Sequence, residues 1–105
     1  MPGTEEHQIA LLTLIASVAI EEVVVDWLLE NAPDIGFCSG PVNGHSASHD
    51  SLTLAEQVSG RKRQVRFELH GATSRMDAIV EKIRQDLSGA TIHYWIAPLA
   101  RAGKI

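Results

Sequence analysis

The fold is decided by the stretch IALLTLIA at residues 9–16, which is apolar at every position except Thr13. A strand with one solvated face alternates apolar and polar residues, so this continuous pattern predicts a strand that is covered on both faces. In a chain of 105 residues, one layer of helices can cover one of those faces. We therefore expect the other face to contact another subunit.

The residues that follow have the spacing of an amphipathic helix. Ser17 is a suitable N-cap residue, and the helix is expected to end near Asn31, before Pro33. Acidic residues occupy the opposite side of this helix. The apolar stripe, at i, i+3, i+4, i+7 and i+8, consists of Ile20, Val23, Val24, Trp27 and Leu28.

The second half of the chain repeats a strand, a helix and a strand. Residues 63–70 alternate as a half-buried strand, and residues 91–97 form the last strand, closed by Pro98. Ser74 is expected to cap the second helix, and Gly89 to end it. The apolar stripe of that helix is Met76, Ile79, Val80, Ile83 and Leu87.

Between the two halves, local propensity predicts loop. Residues 35–45 contain three glycines and a proline, and residues 46–62 are polar, with one helical turn expected at 53–58. The element order indicates an α+β, ferredoxin-like βαββαβ sandwich in which two helices cover one face of a four-stranded antiparallel sheet. We expect one domain over residues 1–105, with residues 1–8 flexible and residues 44–62 forming a long loop.

Cys38 is the only cysteine, so an internal disulfide is excluded and a reducing compartment is expected. On a strand, such a residue is more often a small buried hydrophobe than a metal ligand. The apolar stretch at residues 9–20 is too short to span a bilayer, and the N-terminus lacks the basic start of a secretory signal. These features predict a cytoplasmic protein that is not inserted in a membrane.

Charge is unevenly distributed along the chain. The first sixty residues carry nine acidic and no basic groups, and the remaining residues carry nine basic and four acidic ones. One interpretation is that this division of charge steers the acidic face of one copy of the protein onto the basic face of another copy, or onto a charged partner. The alternative is that acidic residues solvate one helix and basic residues solvate one strand edge. The basic cluster of Arg61, Lys62, Arg63 and Arg66 has no interleaved aromatic residues, so an anion or subunit contact is favoured over nucleic acid.

The candidate metal ligands lie in or beside the predicted loop. His45, His49 and Asp50 have an HxxxHD spacing that suits zinc or copper if the segment is helical, and Cys38 would add a soft ligand. The alternative is that these histidines are solvated loop residues. His70 and His93 are expected on strands that the first strand separates. No nucleophile with a convincing base and no paired carboxylates in an apolar setting are present in the sequence, so an enzyme is not expected.

Four segments together resemble a known family. They are LTLAEQVSGR at residues 52–61 with the strand after it, DWLL at 26–29, PVNGH at 41–45 and HYW at 93–95. The combination resembles a P-II-like family in the superfamily of nitrogen regulatory P-II and CutA proteins. Its function is unassigned, and its genes are often found beside heavy-metal efflux transporters of the resistance-nodulation-division type.

The resemblance implies a homotrimer with sheets facing inward, a mobile loop after the second strand, and a strand at residues 37–43. It implies a non-enzymatic regulatory protein linked to heavy-metal efflux or tolerance, whose partner is an efflux transporter or its regulator. The alternative is a CutA-like metal buffer or chaperone that uses His45, His49 and Cys38 to bind a divalent or copper ion. The expected ligand and loop residues are Asn43, His45, Glu56, Gln57, Arg61 and Arg63.

Nucleotide binding is a separate question within this family. Nucleotide-binding P-II proteins have a glycine-rich loop after the second helix, whose backbone N–H groups help to hold phosphates. Here the corresponding place holds only Ser88, Gly89 and Ala90. The sequence therefore argues against ATP binding of the usual P-II kind and does not identify another ligand.

Overall fold

The computed structural model describes residues 8–45 and 61–105. Over these residues four strands alternate with two α-helices, and a 3-10 turn at Val18–Ile20 leads into the first helix. The strands are β1 (Ile9–Ser17), β2 (Cys38–Gly44), β3 (Lys62–Ala72) and β4 (His93–Leu99), and the helices are α1 (Glu21–Asn31) and α2 (Thr73–Asp86).

The strands form one antiparallel sheet in the order β2-β3-β1-β4. β1 is therefore central and pairs with both β3 and β4, whereas β2 and β4 are the edges. α1 connects β1 to β2, with β3 between them in the sheet, and α2 connects β3 to β4, with β1 between them. These are the two split βαβ halves of a ferredoxin-like fold. The predicted α+β sandwich, with two helices on one face, is confirmed.

The core lies between the helices and one face of the sheet. Alternate residues of β1 and β3 point into it, and they include Leu12, Leu14 and Phe67, each at most 1% exposed. The predicted helical stripes supply most of the other side. The buried helix residues are Val24, Trp27, Leu28, Met76, Ile79, Val80 and Ile83.

A hydrogen bond ties the two helices together at one end of this core. The Trp27 indole Nε1 donates to Asp86 Oδ2 at 2.8 Å, so the nitrogen of a side chain that is only 7% exposed has an acceptor. Lys82 lies 4.0 Å from the same carboxylate oxygen. The indole nitrogen can therefore be buried without the cost of an unpaired donor.

Local propensity predicted loop over residues 35–45, but part of this segment is a strand. β2 runs from Cys38 to Gly44, one residue further than the strand that the family resemblance implied, and Pro41 lies opposite Val65 within it. β4 likewise continues through Pro98, which was expected to end it, to Leu99. Both strands are edges of the sheet, where a residue without an N–H removes no ladder hydrogen bond.

The helix starts also differ from the predictions. The Ser17 side chain accepts from the Ala19 backbone N–H, so it caps the 3-10 turn and not α1 itself. α2 begins at Thr73 without a side-chain cap, and the predicted cap residue Ser74 lies inside the helix. The Thr73 N–H instead donates to the Gln8 carbonyl, so backbone at the start of β1 replaces the cap. Val23, predicted in the apolar stripe, is 49% exposed.

The sheet face away from the helices is here called the open face. Its residues come from alternate positions of all four strands, as the pairing register requires. Two halves differ in chemistry. The apolar half, on β1 and β4, contains Ile9, Leu11, Ile15, Trp95 and Leu99, and the polar half, on β2 and β3, contains Cys38, Gln64, Arg66, Glu68 and His70.

Candidate functional site

Four of the described candidate residues lie at the base of the β2–β3 connection, whereas Cys38 lies at the opposite end of β2. Asn43 lies opposite Arg63 and Gly44 opposite Lys62, while His45 and Arg61 flank the two strand ends. The strands extend to Gly44 and from Lys62, so the connection is shorter than the predicted 44–62. The other candidates and the predicted turn at 53–58 lie outside the described residues. These candidates are His49, Asp50, Glu56 and Gln57.

At the base of the connection, the Gln64 side chain lies close to the backbone of Gly44. A Cβ atom placed on Gly44 would overlap the side-chain oxygen of Gln64 on the neighbouring strand. Glycine therefore lets Gln64 remain over β2. Lys62 and Arg66 point to the open face, but Arg63 points to the other side of β3, as strand alternation dictates. The basic cluster is thus divided between two faces and does not form one flat patch.

Cys38 lies on the open face and is exposed, so the expectation of a buried thiol is wrong. The reason is that β2 is an edge strand and nothing in the described chain covers this end of it. Cys38 and His45 are seven residues apart on the extended chain, or about 23 Å at 3.3 Å per residue. They cannot hold the same metal ion within one subunit.

Within residues 8–45 and 61–105, no group of three or more His, Cys, Asp or Glu side chains is arranged to hold a metal ion. On one side of β1, His70 lies opposite Leu11, and on the other side His93 lies opposite Ile15. The two histidines are therefore separated by the width of β1 and by four residues along it. Their predicted separation within one subunit is confirmed.

A cavity of about 260 Å³ lies beside the end of α2. Its lining includes Arg84, Tyr94, Ser88 and Gly89, and Gly89 adopts a left-handed conformation with φ of 84°. The volume is below the roughly 300–1,000 Å³ typical of small-molecule sites.

Arg84 contacts two side chains at this cavity. Its guanidinium donates to the Tyr94 hydroxyl and to Glu81 Oε2, each at 3.2 Å, and lies 5.8 Å from the Tyr94 ring centroid. The hydrogen bond to Tyr94, and then that to Glu81, raise the pKa of Arg84 above its ordinary value. Sequence reasoning missed this pair because the two residues belong to separate elements that only the tertiary fold brings together.

A second open cavity, of about 540 Å³, lies at the start of β2. Asp34, Cys38, Glu68 and His70 are among its lining residues. Arg75 on α2 donates to both carboxylate oxygens of Asp34, at 2.9 and 3.1 Å. These hydrogen bonds lower the pKa of Asp34. Sequence reasoning did not group these residues, although strand alternation from Glu68 to His70 was a usable signal.

Neither helix of the described chain is long and apolar enough to cross a membrane. The comparison with curated proteins gives no match. The comparison with solved structures gives many, and three of them illustrate the range of proteins that share this fold.

The first is a DUF3240 family protein from Shewanella baltica OS155, with 24% identity and a TM-score of 0.72 over 92% of this chain and 96% of that one. The second is CPII, a nitrogen regulatory PII-like protein from Thiomonas intermedia K12 bound to ADP, AMP and bicarbonate. It has 15% identity and a TM-score of 0.66 over 94% of this chain and 98% of that one. The third is the periplasmic divalent cation tolerance protein CutA from Archaeoglobus fulgidus, with 13% identity and a TM-score of 0.63 over 91% and 88%.

These likenesses agree with the ferredoxin-like topology of the sheet and helices. A family model, described as a protein of unknown function (DUF3240), matches residues 6–105. That match covers nearly the whole chain. The protein therefore belongs to the DUF3240 family.

Proposed function

We propose that this protein is a non-enzymatic, homotrimeric P-II-like regulatory protein of the cytoplasm. It senses a small ligand or a metal ion and transmits this state through the β2–β3 connection to a protein partner. The observation that carries the proposal is the placement of Asn43, His45, Arg61 and Arg63 around the base of that connection, at one end of the sheet. The link to heavy-metal efflux or tolerance rests on the family resemblance.

The base of the connection suits an anionic or metal-bound ligand. Arg61 and Arg63 supply cationic donors, and His45 supplies an imidazole that is exposed at the end of β2. A ligand that binds one conformation of the connection better than another shifts the population toward it. The rigid sheet below holds the two ends of the connection at a fixed separation.

The test is amide hydrogen exchange of the full chain with and without ATP, ADP, AMP, Zn²⁺ or Cu²⁺. We expect at least one of these probes to slow exchange in residues 45–61 while exchange in β1 is unchanged. Arg61→Ala should weaken binding of an anionic probe about tenfold, and Arg101→Ala, in the exposed C-terminal tail, is the matched control. If no probe alters exchange in residues 45–61, the proposal is wrong.

The second candidate is the CutA-like metal buffer, for which the exposed position of His45 beside the connection is the supporting observation. Neutral imidazole binds zinc or copper and imidazolium does not, so protons should compete with the metal for such a site. In the same experiment, loss of Zn²⁺ and Cu²⁺ binding on changing His45 and His49 to alanine would favour the buffer. Retained metal binding in that variant would exclude these ligands.

A further inference from the structure

Two side chains in the cavity at the start of β2, a thiol and an imidazole, are of the types that bind soft or borderline metal ions. Cys38 lies directly opposite Glu68 on β3, and His70 is two residues further along β3 on the same face of the sheet. Diagonal neighbours of this kind are about 7–8 Å apart between Cα atoms, and their side chains can meet. All three residues line the same open cavity.

Four polar side chains line this cavity, and two of them, Cys38 and His70, have no hydrogen-bond or ion-pair partner among the described residues. The Asp34 carboxylate accepts two hydrogen bonds from Arg75, and Glu68 Oε1 lies 3.9 Å from Arg66 Nε. The Cys38 thiol and the His70 imidazole have no hydrogen bond or ion pair with the part of the chain that the structure describes. The cavity therefore offers one sulfur and one nitrogen donor together.

The ligand number decides which metal suits the pair. Structural zinc takes four protein ligands, and the described residues contain no cluster of three or more. A soft monovalent ion such as Cu(I) prefers thiolate and accepts imidazole, and it is stable with two ligands in a nearly linear arrangement. A sulfur–metal–nitrogen bridge spans about 4 Å, which a diagonal pair of cysteine and histidine side chains can accommodate.

We propose that Cys38 and His70 form a two-coordinate site for Cu(I), one ion per chain. On binding, the thiol gives its proton to the solvent, the thiolate sulfur and one ring nitrogen of neutral His70 bond to the ion, and its oxidation state is unchanged. The site lies in the polar half of the open face. It is separate from the base of the β2–β3 connection, and the proposed regulatory function does not depend on it.

The test is competition for Cu(I) against a chromophoric Cu(I) chelator, performed without oxygen on the full chain. We expect Cys38→Ser to abolish binding and His70→Gln to weaken it at least tenfold. The matched control is His93→Gln, which changes an exposed histidine on the same face but on β4 and should bind as the wild type does. Circular dichroism of each variant checks that the fold is intact.

A second readout is independent of affinity. One equivalent of Cu(I) should shift the ring nitrogen resonances of His70 and leave those of His93 in place. If His70→Gln binds Cu(I) as tightly as the wild type, the metal is held by the thiol alone and the proposal is wrong. Retained affinity in Cys38→Ser would overturn it equally, since the ligands would then lie elsewhere.

Discussion

The two halves of the open face belong to one sheet and differ in what they can do. On the apolar half, Leu11 and Ile15 of β1 lie beside β4, where Trp95 is 52% exposed. On the polar half, Arg66, Glu68 and His70 follow one another along β3 at alternate positions. The border between the halves runs between the two central strands.

This difference separates assembly from ligand chemistry. Apolar side chains that lie together and are only partly buried indicate a protein contact, and the apolar half is where the predicted trimer would bury them. The polar half carries titratable groups that gain nothing from such burial unless they are paired. We therefore expect substitutions in one half to change the oligomer and substitutions in the other to change ligand binding.

The largest expected effect is loss of the oligomer. Ile15→Glu places a carboxylate in the apolar half, where burial against another subunit would leave the charge without a partner. Light scattering should then give the mass of one chain, 11.4 kDa, for the variant, and the mass of three chains for the wild type. Gln64→Glu, on the polar half, is the control and should leave the mass unchanged. A wild type that is monomeric at micromolar concentration would contradict the assembly prediction.

A smaller effect distinguishes the two faces of β1. Leu12 is fully buried against the helices, so Leu12→Ala should lower the free energy of unfolding by about 2–5 kcal/mol. Its neighbour Leu11 lies half-buried on the open face, and Leu11→Ala should cost only about 1 kcal/mol in dilute protein. Urea denaturation measures both variants. Equal losses at low protein concentration would show that the open face is already covered within one chain.

The smallest expected effect concerns the ion pair beside the polar half. The hydrogen bonds from Arg75 lower the pKa of Asp34, so the pair stabilises the fold above the unfolded aspartate value of about 3.9. This contribution is lost as the pH falls through the folded pKa, and it is slight because the pair is exposed. Asp34→Asn should remove that part of the pH dependence. Thermal unfolding from pH 6 to pH 2 tests this, and identical profiles would refute it.

Periodicity was a reliable guide where a segment has one clearly apolar side. The stripe of α2 and the alternation of β3 are both confirmed by burial in the structure. Propensity failed for β2 and for the end of β4, because it cannot show that a strand is an edge that tolerates Pro41 or Pro98. The cap at Ser74 failed for a related reason, since a carbonyl distant in sequence satisfies the helix start.

The candidate residues were only partly accessible to sequence reasoning. Asn43, His45, Arg61 and Arg63 were expected together, and the pairing register brings them to one end of the hairpin. Their role in binding stays a prediction. The grouping of Cys38 with His70 was not foreseen, because it depends on which residue of β3 lies opposite Cys38, and a shift of one residue would place His70 on the other face.

The sequence by itself determined the two helices and the strands β1, β3 and β4, the central position expected of a strand with two apolar faces, and the absence of an internal disulfide. These follow from local patterns and from composition. Only the tertiary structure decided the register of β2, the exposure of Cys38 and the division of the open face into two halves. Each of these depends on contacts between residues far apart in the chain, and a local pattern contains no information about which distant residue will lie opposite it.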